Sequence, residues 1–172
     1  MRVTEATDAQ RAHLRCLFTA EADRIHGYLL LRTGSWTVAE DLTAEVFAAA
    51  ARHCAGGHER EVTGAWLQAV AKRRLVDHWR RATTRRRLTE RLVHRETPAV
   101  HDELRLDDAD DERVRTVLGS LPDRQRAALC LRYLDDFSVN EVAEVLDIAY
   151  QAAESLLARA RRSFIAAYEA TP

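Results

Sequence analysis

The stretch from Ser138 to Phe164, SVNEVAEVLDIAYQAAESLLARARRSF, permits few folds. Ser138 and Glu141 have the S-x-x-E spacing of a capping box, in which a hydroxyl and a carboxylate satisfy amide donors at a helix start. Val142, Val145 and Leu146 give that helix one apolar face. Asp147-Ile148-Ala149 interrupts the pattern. A second helix follows, with Ala152, Leu156 and Leu157 inward and Arg159, Arg161 and Arg162 at its far end. Two helices joined by a tight turn, the second one cationic, make the layout of a helix-turn-helix, whose second helix enters the DNA major groove. An ordinary helical hairpin fits the same pattern, so the rest of the chain has to decide.

Composition favours helix throughout. Only 6 Gly and 3 Pro occur in 172 residues, while Ala and Arg are abundant. No apolar run approaches the ~18 residues of a membrane span, and the polar N-terminus lacks a signal-peptide core. The expectation is a soluble intracellular protein. Cys16, Cys54 and Cys130 are odd in number and far apart, so they form no disulfide framework. The net charge of −1 hides a segregation. Lys72 to Arg95 holds ten bases against Asp77 and Glu90. Glu96 to Glu112 holds eight acids against Arg105. A basic block abutting an acidic one points to a polyanion-binding face followed by a solvated linker.

Periodicity then places the elements. Ala9 to Arg32 reads as a long amphipathic helix, with Leu14, Leu17, Phe18, Ile25, Tyr28 and Leu29 as its stripe. Gly34 ends it in a left-handed cap. Thr37 and Glu40 suggest a capping box that opens a helix from about Val38 to His53, with Leu42, Val46 and Phe47 inward. Asp41 and Glu45 lie four apart on its other face. Cys54 to Val62, with Gly56-Gly57, reads as a loop. Thr63 caps a third helix that runs to about Arg91, apolar in its first half and basic in its second. Thr97-Pro98 breaks the pattern. Helix returns near Ala109, with Val114, Val117 and Leu118 inward, and Pro122 opens another as a first-turn proline. The fold class expected is all-α: a three-helix domain at 9–95, an acidic linker at 96–108 and a four-helix domain at 109–169.

Three segments carry a family resemblance: AEDLTAEVF (Ala39 to Phe47), AWLQAVAKRRLVDHWRR (Ala65 to Arg81) and LPDRQRAALCLRYLDDFSVNEVAEVLDI (Leu121 to Ile148). In order and spacing they resemble regions 2.2, 2.3–2.4 and 4 of an extracytoplasmic-function (ECF) sigma factor, over roughly residues 12 to 168. The resemblance implies a non-catalytic bacterial transcription initiation factor that needs no cofactor. Its implied partners are core RNA polymerase, at clamp and flap, promoter DNA and an anti-sigma factor. Neither a membrane nor a small-molecule substrate is among them.

The same resemblance assigns roles residue by residue. Asp41 and Glu45 match the surface that docks on the polymerase clamp, and two carboxylates on one helix face suit a basic partner. The third helix and the loop before it match the part that takes the minus-ten element as single strand with a flipped base. Lys72, Arg73, Arg80 and Arg81 are its phosphate candidates, and the Cys54–Val62 loop, with His58, is its pocket candidate. Arg73 stands where the family often has Asn. Trp66 and Trp79 fall at helical spacing with Val70 and Val76, which favours core packing over stacking on bases. For the minus-thirty-five element, Gln151, Glu154 and Ser155 are base-reading candidates. Arg124, Arg126, Arg132, Arg159, Arg161 and Arg162 are phosphate candidates.

The departures lie in the second helix of the opening motif. The family commonly carries Thr, Lys and Arg where this chain has Ala152, Glu154 and Leu156. Glu154 repels phosphate unless it accepts from a cytosine amino group. Unusual minus-thirty-five specificity or weak affinity is therefore expected. The alternative function is a sigma-like decoy that binds an anti-sigma factor without driving transcription. His53, Cys54 and His58 cluster loosely but lack a fourth zinc ligand at usual spacing, so the expectation is an incidental surface loop and no metal. Asp77-His78 has no nucleophile beside it, and an enzyme is not expected.

Overall fold

The computed structural model describes residues 8–89 and 109–171. Among these residues the chain is helical with no strand: α1 Asp8–Thr33, α2 Trp36–Ala55, α3 Gly64–Thr89, α4 Ala109–Ser120, α5 Asp123–Leu129, α6 Val139–Val145 and α7 Tyr150–Ala170. This is the all-α class expected. A 3₁₀ turn at Glu59–Glu61 precedes α3, and a π-helical turn at Cys130–Leu134 extends α5. No described helix is long and apolar enough to cross a membrane. The linker expected at 96–108 lies outside the described residues, as does a helix end at Arg91.

Two compact units result, and α1 and α3 contribute to both. Among the described residues, the first takes Asp8–Leu29 and Thr37–Leu75; the second takes Leu30–Trp36, Val76–Thr89 and 109–171.

In the first unit Ala39, Leu42, Val46 and Ala50 recur at three- and four-residue intervals along one stripe of α2 and are buried. Ile25 and Leu29 of α1 and Leu67, Ala71 and Leu75 of α3 complete the core. Phe18, expected in the α1 stripe, is 54% exposed; its ring meets Phe47 edge-on at 4.9 Å. Helix α2 begins at Trp36, so Thr37 sits inside it and does not cap it. The Thr63 hydroxyl does cap α3, accepting from the Trp66 amide at 3.2 Å.

In the second unit α7 packs against α4, α5 and α6. Ala153, Leu156, Leu157 and Ala160 form its buried stripe. Ala152, expected inward, is exposed and Ala153 takes its place, because Leu156, Leu157 and Ala160 set a face that 153 shares and 152 does not. Arg126 is 1% exposed; its guanidinium donates to the Gly119 carbonyl at 3.1 Å and pairs with Asp123. That use removes it from the phosphate candidates. Arg32 and Asp135, also buried, pair at 3.0 Å. Gly34 holds φ +64°, with its amide donating to Leu30 O at 2.8 Å, as the left-handed cap requires. Pro122 occupies the N-cap of α5, one position before the first-turn site expected.

Candidate nucleic-acid interface

The capping box at Ser138 is complete. The Glu141 amide donates to the Ser138 hydroxyl at 3.3 Å, and the Glu141 carboxylate accepts from the Ser138 amide at 2.7 Å. The turn after α6 is a Schellman motif. Asp147 takes φ +49°, its amide donates to Glu144 O at 3.3 Å, and the Ile148 amide donates to Ala143 O at 3.0 Å. These bonds end α6 sharply and aim α7 away from it. Buried Val142, Ala143, Val145 and Leu146 hold the pair against the unit.

Helix α7 thus presents one outer face. Gln151, Glu154, Ser155, Arg159, Arg161 and Arg162 are all exposed there. Leu156 is 8% exposed and belongs to the core, so it is no position for a phosphate contact. Tyr150, missed in the sequence, opens the helix on this face, 46% exposed. Its phenol bonds to the Glu154 carboxylate, which pushes the phenol's pKa up. The i, i+4 spacing of the two was the available signal. Arg161 reaches the Tyr133 hydroxyl at 3.2 Å. Arg132 donates to Phe137 O at 3.0 Å and so braces the loop before Ser138. Arg124 is partly buried.

Helix α3 carries Arg73, Arg80 and Arg81 exposed and Lys72 partly buried. Trp79 is buried, as expected of a core residue. Trp66 is only partly buried; its indole stacks on the His53 imidazole at 5.1 Å. His53 in turn stacks on His58 at 4.9 Å. Both imidazoles bond to Glu61, at 3.0 Å and 3.1 Å, and together they hold the Glu61 carboxyl below its ordinary range. Cys54 is fully buried and stands apart from this group. On α2, Asp41 is exposed, whereas Glu45 is partly buried and pairs with Arg74 at 3.6 Å.

This arrangement offers exposed cations on one helix and a helix-turn-helix with an acidic residue, Glu154, on the outer face of its second helix. Residues 17–85 match the family Sigma-70 region 2, and residues 111–164 match Sigma-70, region 4. The ECF RNA polymerase sigma factor BldN of Streptomyces coelicolor is 28% identical over 150 residues, 86% of this chain. The ECF RNA polymerase sigma factor SigM of Bacillus subtilis is 27% identical over 150 residues, 84% of this chain and 88% of its own length. The chain belongs to the ECF sigma factor family. It spans 57% of the length of the BldN relative. Sigma factors are transcription factors and not enzymes.

Two solved structures are similar to this sigma factor. One is the sigma factor RpoE in complex with the anti-sigma factor NepR from Bartonella quintana, with TM-score 0.48, 18% identity and coverage of 92% and 98% of the two chains. The other is the RsbN–BldN complex, with TM-score 0.35, 24% identity and coverage of 91% and 94%.

Proposed function

We propose that this chain is a transcription initiation factor that binds core RNA polymerase and directs it to promoters by reading minus-ten and minus-thirty-five elements. Residues 9–95 serve polymerase docking and the minus-ten element, and residues 109–169 the minus-thirty-five element, with 96–108 as the acidic linker between them. Asp41 and Glu45 meet the clamp. Lys72, Arg73, Arg80 and Arg81 hold minus-ten phosphates, with His58 in the adjoining loop. Gln151, Glu154 and Ser155 face bases, and Arg124, Arg132, Arg159 and Arg162 approach phosphates. The flap of the polymerase and an anti-sigma factor complete the partners, and the protein acts in the cytoplasm.

The observation that carries this reading is the succession of region 2 and region 4 on one chain. An exposed cationic α3 lies in the first match and a capped helix-turn-helix in the second. The test is run-off transcription with core polymerase, this protein and promoter DNA. Specific initiation is the expected result. Silence or inhibition, together with tight binding to an anti-sigma protein, overturns it in favour of a decoy, the reading that the carboxylate at Glu154 favours.

A further inference from the structure

We propose that His53, His58 and Glu61 form a binding site for one divalent transition-metal ion of the zinc class. No metal was expected from the sequence, because His53, Cys54 and His58 lack a further ligand at usual spacing. Folding changes the set. Cys54 turns into the core, and Glu61, eight residues after His53, arrives in its place. The ligand atoms of the three residues all lie within 4.8 Å of one another.

The chemistry selects the ion. Two imidazole nitrogens and one carboxylate oxygen suit zinc and its neighbours, which leave a fourth position to water or an incoming group. Magnesium and calcium prefer all-oxygen sets. The geometry is close to what such an ion needs. Bonds of ~2.0–2.1 Å in a tetrahedron put neighbouring ligand atoms about 3.3 Å apart. The Glu61 carboxylate already faces both imidazoles, with Oε2 3.0 Å from His53 Nε2 and Oε1 3.1 Å from His58 Nδ1. One metal ion replaces the protons that now bridge these pairs. The ligand atoms lie within 4.8 Å of one another, and His58 and Glu61 are more than half exposed, so rotamer adjustment gathers them onto one ion.

The scaffold holds the ligands without a metal. The His58 amide donates to His53 O at 3.3 Å, which closes the loop between the two histidines. Gly57 makes that closure at φ +88°, a conformation that favours glycine. The Glu61 amide donates to His58 O at 3.1 Å. Trp66 and His58 both stack on His53 and fix its ring plane, as outer contacts do for metal-bound histidines. The site shares His58 with the loop assigned to the minus-ten element, but metal binding is measured without DNA or polymerase, so a failed transcription assay leaves it standing.

The test uses the untagged full-length chain, freed of metal by a chelator, with Zn²⁺ followed by calorimetry and Co²⁺ by visible absorption. One ion per chain is expected. Glu61→Gln and His58→Asn each lower affinity about tenfold or more, and Cys16→Ser leaves it unchanged. The Co²⁺ spectrum shows nitrogen and oxygen ligands without a thiolate band. Absence of binding overturns the proposal. So does binding that survives both loop variants, or binding that disappears with Cys16→Ser.

Discussion

Arg74 and Glu45 pair across α3 and α2, with guanidinium Nη1 3.6 Å from carboxylate Oε2. Both side chains are only partly buried, and water still screens the pair, so it adds at most about 1 kcal/mol to stability. Its consequence is functional. Of the two carboxylates proposed to dock on polymerase, Glu45 already has a cation beside it, and among the described residues no ion pair holds Asp41. A basic partner therefore gains more from Asp41. Asp41→Ala is expected to weaken binding to core polymerase about tenfold, and Glu45→Ala by less than about threefold. Fluorescence anisotropy with labelled full-length chain measures both. A larger loss at Glu45 contradicts the assignment.

Glu154 stands on the outer face of α7, bonded to the Tyr150 phenol. A carboxylate here repels phosphate, and its replacement by a cation adds a counterion-releasing contact. Glu154→Lys is expected to tighten binding to minus-thirty-five duplex several-fold and to steepen the salt dependence by about one unit of log–log slope. It also lets the Tyr150 pKa fall, because the carboxylate that accepts the phenol's hydrogen bond and disfavours phenolate is gone. Electrophoretic binding at a salt series and spectroscopic titration of tyrosine check the two effects. A Glu154→Lys variant with weaker binding indicates that Glu154 reads a base.

Leu156→Arg has the opposite outcome, although a family comparison suggests it as a restoration. Leu156 is in the core of the second unit, and an arginine there buries a charge without a partner. Thermal unfolding is expected at clearly lower temperature. Leu156→Ala, which only leaves a cavity, costs about 2–4 kcal/mol. If Leu156→Arg instead keeps its melting temperature and gains DNA affinity, α7 is rotated from the face described.

Local chemistry fixed much of this fold in advance, and tertiary packing fixed the rest. Ser138 with Glu141, Gly34 and Thr63 were legible because capping depends on atoms within four residues. The all-α class was legible for the same reason of short range. Phe18 and Ala152 depart from the inward placement expected of them, while Leu156 keeps it, because an apolar residue at the border of a stripe goes inward or outward according to its neighbouring helices. The Thr37–Glu40 spacing fits a box, yet α2 starts at Trp36 and leaves Thr37 inside the helix. The Glu61 contribution to the histidine pair was invisible, since a loop's ligand set follows from its backbone path and not from spacing alone. Arg126 looked like a phosphate anchor because an arginine's burial depends on a cradle, here Gly119 O and Asp123, that no motif encodes.

Asp147 supplies a sharper test of the helix-turn-helix turn. Its φ of +49° lies in the left-handed region, where a β-branched side chain is crowded and glycine is at ease. Asp147→Val is expected to destabilise by about 1–2 kcal/mol, while Asp147→Gly leaves stability equal or higher. Ser138→Ala removes the other support of α6 and costs about 1 kcal/mol. Denaturant unfolding of the full chain measures all three. A neutral Asp147→Val means that the turn is not built as a Schellman motif in solution.

Burial separates the three cysteines in reactivity. Cys16 is exposed, and Cys54 and Cys130 are buried. Burial pushes the Cys130 thiol up to about 12, with the neighbouring Asp135 carboxylate acting the same way and the Arg32 and Arg126 guanidinium groups opposing it. Burial, followed by the Glu59 charge, raises Cys54 as well. The thiolate is the reactive form, so at pH 8 only about one Cys130 in 10⁴ is reactive even before access is considered. A thiol reagent applied to the native chain is expected to modify Cys16 alone, and all three cysteines once denaturant is added. Raising the pH towards 10 increases the Cys130 thiolate fraction a hundredfold but leaves it near one percent, so native labelling there stays slow. Rapid labelling of Cys130 at pH 8 contradicts the packing of the π-helical turn that carries it. Mass mapping of the modified peptides distinguishes the sites.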